Sequence, residues 1–170
     1  MRAEDGGPTG GGAHVSFLAR LRPELVCVDP PWRTLADTVE GLVGALVARR
    51  ALSRRTRDDA VRAVLAREEE SSTALLDIAV GVPHARLPGL RRAVVALAVS
   101  PRGLYEPVPT VKLRIVALVL SPPTAAADHL RLVAEISTLL RSPALRDAIV
   151  AAPDAGSVVA ALRAHDGARR

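Results

Sequence analysis

Two different hydrophobic periods divide this chain. Leu35, Val39, Leu42, Val43, Leu46 and Val47 recur at three- and four-residue spacing, which predicts a helix from about 34 to 50 with one apolar stripe. Arg49 and Arg50 suit its C-terminal end, where the helix dipole is negative. Ala60, Val61, Val64 and Leu65 mark a second helix, entered at Thr56, carrying Asp58 and Asp59 in its first turn and running to about Glu70. The pattern then changes. Residues 93–99, and the end of 113–120, are near-continuous apolar runs, as strands covered on both faces require. Leu25 to Val28 is a shorter strand candidate. Leu75 to Val82 reads as strand or extended loop, because Pro83 drives the preceding residue away from helix. Three helices follow. One covers about 126–141, a second starts with Ser142 as cap and Pro143 at the first position, and the last is capped by Asp154. The fold class expected is α/β: a three-layer sandwich, its central mixed β-sheet flanked by helices on both faces.

Composition sharpens this picture. Hydrophobic residues make up 49% of the chain and aromatics only 2%, so the core is aliphatic. Residues 1–14 hold the run Gly6-Gly7-Pro8-Thr9-Gly10-Gly11-Gly12 and are expected to be a disordered tail that includes His14, with one folded domain over 15–166. Cys27 is the only cysteine, which excludes an internal disulfide and reads as a small core residue. No stretch reaches the ~20 apolar residues needed to span a bilayer, and Met1-Arg2 is followed by glycines rather than an apolar signal core. A cytoplasmic chain without membrane insertion is expected. The net charge of +5 raises a nucleic-acid partner. Against it, Lys112 is the only lysine, an arginine bias that reads as genome composition, and no aromatic stacking platform exists. No nucleic acid is expected.

Three histidines are candidates for chemistry. His84, in Gly81-Val82-Pro83-His84-Ala85-Arg86, stands where an apolar segment opens into a loop. Imidazole is a competent nucleophile near neutral pH, yet a lone loop histidine is more often structural or incidental. His129 stands at the start of the helix after residue 120, where free N–H groups suit an anion, or where the ring merely bonds nearby backbone. His165 lies near the polar C-terminal end and reads as an exposed surface residue. The run Glu68-Glu69-Glu70 reads as a solvated face.

Several segments together resemble a known family. Val64-Leu65-Ala66-Arg67-Glu68, then Ser72-Thr73, then Gly81-Val82-Pro83-His84 is similar to the signature of the type 2 enzyme IIA domains of the phosphoenolpyruvate-dependent phosphotransferase system, the fructose–mannitol and nitrogen-regulatory class. The apolar-Pro-His motif, a second histidine about 45 residues on at His129, and Leu139-Leu140-Arg141-Ser142-Pro143 also resemble it. The resemblance covers roughly residues 18 to 163. It implies a phosphotransferase that carries its phosphoryl group on His84, with Arg67 stabilising the phosphoryl oxygens and His129 assisting by hydrogen bonding. It implies no cofactor and no metal. The implied partners are the phosphocarrier HPr as donor and an enzyme IIB as acceptor. The alternative implied by the nitrogen-regulatory branch is a phosphorylation-dependent, or non-catalytic, protein-interaction module. The chain departs from the family at Thr73 to Gly81, where alanine, leucine and aspartate replace most of a glycine-rich loop, so transfer or partner docking is expected to differ there. Sugar specificity and oligomeric state are not written in the sequence.

Overall fold

A computed structural model describes residues 14–170; the expected glycine-rich tail, apart from His14, lies outside the described residues. The chain begins with α1 (Phe17–Arg20), capped by Ser16, and β1 (Val26–Val28). Then comes α2 (Leu35–Ala48), opened by a capping box in which Thr34 and Asp37 each satisfy the other's backbone N–H. α3 (Arg57–Glu70) follows. Thr56 precedes α3 without capping it; its hydroxyl donates instead to the Ser53 carbonyl at 2.8 Å.

The segment read as strand or extended loop becomes β2 (Ala74–Leu75), a 3-10 turn at 76–78, and β3 (Val80–Gly81). Here Ala79 takes φ 54°, a left-handed conformation that glycine adopts without a Cβ penalty. β4 (His84–Arg86) comes next, in the stretch read as the opening of a loop. Its partner strand, Ile115–Ser121, is apolar up to its last residue, and that pairing extends these residues although Pro83 and Pro88 flank them. β5 (Val94–Val99), β6 (Tyr105–Val108), β7 (Val111–Leu113) and β8 (Ile115–Ser121) complete the strands. The β6–β7 hairpin turns through Thr110 at φ 73°. Three helices end the chain: α4 (Ala126–Leu139), α5 (Pro143–Ala151) and α6 (Ala155–Ala168). The expected caps are in place, with Ser142 Oγ accepting from Leu145 N and Asp154 Oδ1 from Ser157 N.

The main sheet runs β1-β5-β8-β3-β2, with β4 following β3 along the same edge of β8. It is mixed: β1 is parallel to β5, β5 antiparallel to β8, and β3 and β4 parallel to β8. The Pro83 carbonyl accepts from Val119 N at 3.1 Å, so the ladder continues through the proline between β3 and β4. Every residue of β8, and all of β5 but Val94, is buried, so both faces of the sheet need cover. One group of helices, α2 and α3, packs on β5 and β4; of the other, α1, α4 and α6 pack on β5, β8 and β1, and α5 packs on α6. This is the α/β sandwich expected. Its core is aliphatic, with Phe17 as the one phenylalanine inside it.

Two ends differ from the sequence reading. His14 bonds Asp128 at 2.8 Å and Glu135 at 3.3 Å, which ties the start of the described chain to α4. His165 is half-buried within α6, which continues to Ala168. Among the described residues no helix is long and apolar enough to cross a membrane.

Candidate phosphoryl-transfer site

The C-terminal end of β8 fixes the site. His84 and Val119 are register partners, as are Arg86 and Ser121, so β4 presents its side chains beside the last residues of β8. Side chains two apart on a strand share a face, which puts Arg86 on the same side as His84. Arg86 was not singled out in the sequence, where it is one arginine among many in what reads as a loop.

His84 is half-buried, and its Nδ1 lies 2.8 Å from the Val82 carbonyl oxygen. A carbonyl oxygen only accepts, so Nδ1 carries the proton and Nε2 is left with the lone pair. That carbonyl lies two residues back along the chain, a contact that residue spacing alone does not reveal.

His129 stands in the first turn of α4 and is only 4% exposed. Its Nδ1 lies 2.9 Å from Ser121 Oγ. The two imidazoles meet edge to face, with ring centroids 5.0 Å apart. The His129 pKa is pushed down to about 4, first by burial and then by the neighbouring His84, Arg86 and Arg67, against a smaller upward pull from Asp128. His129 is therefore a neutral ring at physiological pH. Its own backbone N–H is already bonded to the Ala125 carbonyl at 2.9 Å, so what it offers the site is the side chain.

Arg67 is positioned by the end of α3. Its Nη1 donates to the Ser71 carbonyl at 3.2 Å, and its own carbonyl accepts from Ser71 N. One such bond leaves most of the five guanidinium N–H groups free for an anion. Glu68 is buried rather than solvated as expected. Its carboxylate accepts from Thr73 N and from the Thr73 hydroxyl, closing the chain reversal just after Arg67.

His84, His129, Arg67 and Arg86 line one open depression of about 510 Å³, with Glu70 the one carboxylate on its wall and Leu130, 64% exposed, at its edge. The glycine-poor segment does not reach this depression. Leu76 to Ala79 lines another, beside Arg114 and Arg146. Among the described residues no three His, Cys, Asp or Glu side chains are grouped to hold a metal ion. Cys27 lies half-buried in β1, where burial raises its thiol pKa.

Comparisons with known proteins place the family and the fold. The family described as "Phosphoenolpyruvate-dependent sugar phosphotransferase system, EIIA 2" matches residues 20–165. A PTS system fructose-specific EIIA component from Haloferax volcanii is 26% identical over 140 residues, covering 81% of this chain and 89% of the relative. A nitrogen regulatory protein from Bradyrhizobium diazoefficiens is 32% identical over 104 residues, covering 61% and 68%. The crystal structure of nitrogen regulatory protein IIA-Ntr from Neisseria meningitidis has the same fold, with a TM-score of 0.74 at 22% identity over 85% of this chain and 97% of that one. So does a complex of enzyme IIA mannitol and phosphorylated enzyme IIB mannitol from Escherichia coli, at 0.67 and 16%, over 85% and 97%. The chain belongs to the EIIA type 2 family of the phosphoenolpyruvate-dependent sugar phosphotransferase system.

Proposed function

We propose that this chain is a cytoplasmic phosphocarrier whose His84 accepts a phosphoryl group from phosphorylated HPr and hands it to an enzyme IIB. The observation that carries the reading is the His84 Nδ1 to Val82 carbonyl contact of 2.8 Å, in a pocket shared with His129 and Arg67. It prepares the Nε2 lone pair as the nucleophile. In the transfer step, Nε2 forms a bond to phosphorus as the donor's P–N bond breaks, and the donor imidazole leaves with that electron pair. The Nδ1 proton stays in place, so the phosphorylated ring of His84 is cationic. The Val82 carbonyl stabilises this cation, and the weakened P–N bond suits onward transfer.

Phosphoryl transfer is catalysed mainly by positioning and charge stabilisation. Arg67 supplies a planar fork matched to two phosphoryl oxygens, and Arg86 a second positive charge on the same wall. His129 donates one hydrogen bond from Nε2. That role needs Ser121 to donate its hydroxyl proton to Nδ1, which sets the tautomer with Nε2 protonated. Labelled-phosphate transfer from phosphoenolpyruvate through enzyme I and HPr tests the reading, with the wild-type chain labelled and His84→Ala unlabelled.

The second reading is a regulatory module, still phosphorylated on His84, whose output is a protein contact. The nitrogen regulatory relative and the IIA-Ntr fold favour it. Phosphate passing from the labelled chain to a IIB cysteine supports transport; a labelled chain that binds a partner in one phosphorylation state only supports regulation.

A further inference from the structure

A second basic concavity lies across β8 from His84. Val94 and Val95 of β5 form part of its floor, and Val95 and His84 are both register partners of Val119. The cavity measures about 480 Å³, the size of a small-ligand site. Its apolar wall includes Leu25 and Val95, and five arginines line it: Arg20, Arg22, Arg49, Arg50 and Arg92. Among the described residues no carboxylate does.

Arg20 is committed to the fold. Its guanidinium donates to the Val15 and Ala93 carbonyls and pairs with Asp128 at 2.9 Å. The other four are exposed, and among the described residues none is paired with a carboxylate. The helix dipole accounts for some of the favour shown to Arg49 and Arg50 at the end of α2. It does not account for Arg22 and Arg92, which come from two other segments. Nor does it account for a side chain at residue 50, whose φ of 58° is the left-handed turn that glycine fills best. Like charges gathered around one cavity repel each other until an anion enters. An arginine-rich composition explains many arginines; it does not gather four around a hollow whose lining, among the described residues, holds no carboxylate.

We propose that this cavity is a binding site for a small anion bearing two or more linked phosphate groups, separate from the His84 pocket. Four guanidinium forks exceed what one phosphate can occupy, since each fork takes two oxygens. The apolar floor leaves room for a carbon skeleton between or beside the phosphates. The site does not depend on His84 being phosphorylated.

The test titrates the full chain with inorganic tripolyphosphate, and separately with orthophosphate at matched ionic strength, following backbone amide NMR shifts. Saturable one-to-one binding is expected, with the largest shifts at residues 20–25, 49–51 and 92–95, and tripolyphosphate at least about tenfold tighter than orthophosphate. The double variant Arg22→Gln/Arg92→Gln is expected to weaken binding by about tenfold or more, while Arg57→Gln/Arg62→Gln, which removes the same charge from α3, changes it less than about twofold. Arg50→Gly keeps the left-handed turn and removes the fork. It is expected to weaken binding by about threefold or more with no loss of thermal stability. Shifts centred on His84, Arg67 and Arg86, equal weakening by both double variants, or no saturation would each overturn the proposal.

Discussion

The sheet edge at β4 and the head of α4 each bring a histidine to the same pocket, and they hold it differently. β4 leaves His84 half-exposed and pins Nδ1 to a backbone carbonyl, a partner that can only accept. The head of α4 buries His129 against a serine hydroxyl, a partner that can accept or donate. An exposed edge and an acceptor suit a nucleophile, which must meet a second protein and keep one nitrogen unprotonated. A buried ring with a hydroxyl behind it suits a group that stays in place and donates a hydrogen bond. In the proposed function this contrast gives one residue type two roles 5.0 Å apart, set by what stands behind each ring.

The contrast breaks if the two rings are interchangeable. His84→Ala is expected to abolish phosphate incorporation, measured with enzyme I, HPr and labelled phosphoenolpyruvate. Arg67→Ala is expected to slow incorporation by about 10²-fold or more, through loss of a charge-assisted contact to the phosphoryl group. Arg67→Lys restores only part of that rate, because one ammonium does not reproduce a two-pronged fork.

Titration sharpens the comparison. The His129 pKa is held near 4 by burial first and then by His84, Arg86 and Arg67, against a smaller upward pull from Asp128. A phosphoryl group on His84, with the Nδ1 proton kept, adds a net charge of about −1 beside His129, so the His129 pKa is expected to rise, read from imidazole NMR shifts against pH. Stability follows the same group. The folded pKa lies below the unfolded value of about 6.5, so as pH falls the unfolded chain takes up the proton first. Stability contributed by neutral His129 is full above about pH 6.5 and is lost as pH falls through about 4. Denaturation midpoints across that window are expected to fall less steeply in His129→Gln than in the wild type.

The smallest effect expected belongs to Ser121. Ser121→Ala removes the hydroxyl that sets the His129 tautomer and is expected to slow transfer about three- to tenfold, with His84 still the labelled residue. A merely structural serine would leave the His129 pKa where it is; in this account that pKa shifts in Ser121→Ala. Arg86→Ala belongs in the same range, because Arg86 is exposed and screened by solvent.

The sequence carried the long elements well, because α2, α3, β5 and β8 bury enough apolar surface to impose a clear period. Ser142 and Asp154 marked helix starts through cap chemistry that is local. β4 escaped, since three residues between prolines hold no period, and it is a strand only because β8 lies beside it. The β6–β7 hairpin escaped for a related reason, with Pro107 inside one strand and a turn at Thr110. At the site, Arg67, His84 and His129 were legible as a motif with spacing. Arg86 was not, because it matters only through β4–β8 register, a long-range pairing that composition does not record. Ser121 was not, because its contact runs from the end of β8 to the first turn of α4, which no residue pattern marks. Glu68 was read as solvated because its partner Thr73 lies beyond the end of the helix. The glycine-poor segment, where transfer or partner docking is expected to differ, lines a different depression from His84.

The most direct test is the position of the phosphoryl bond. The chain is phosphorylated through enzyme I and HPr, and the phosphohistidine is identified by phosphorus and nitrogen-15 NMR of the intact protein. The account predicts a single phosphoramidate on Nε2 of His84, with Nδ1 still protonated against Val82. A phosphoryl group on Nδ1 of His84, on His129, or on any residue of His84→Ala would contradict it.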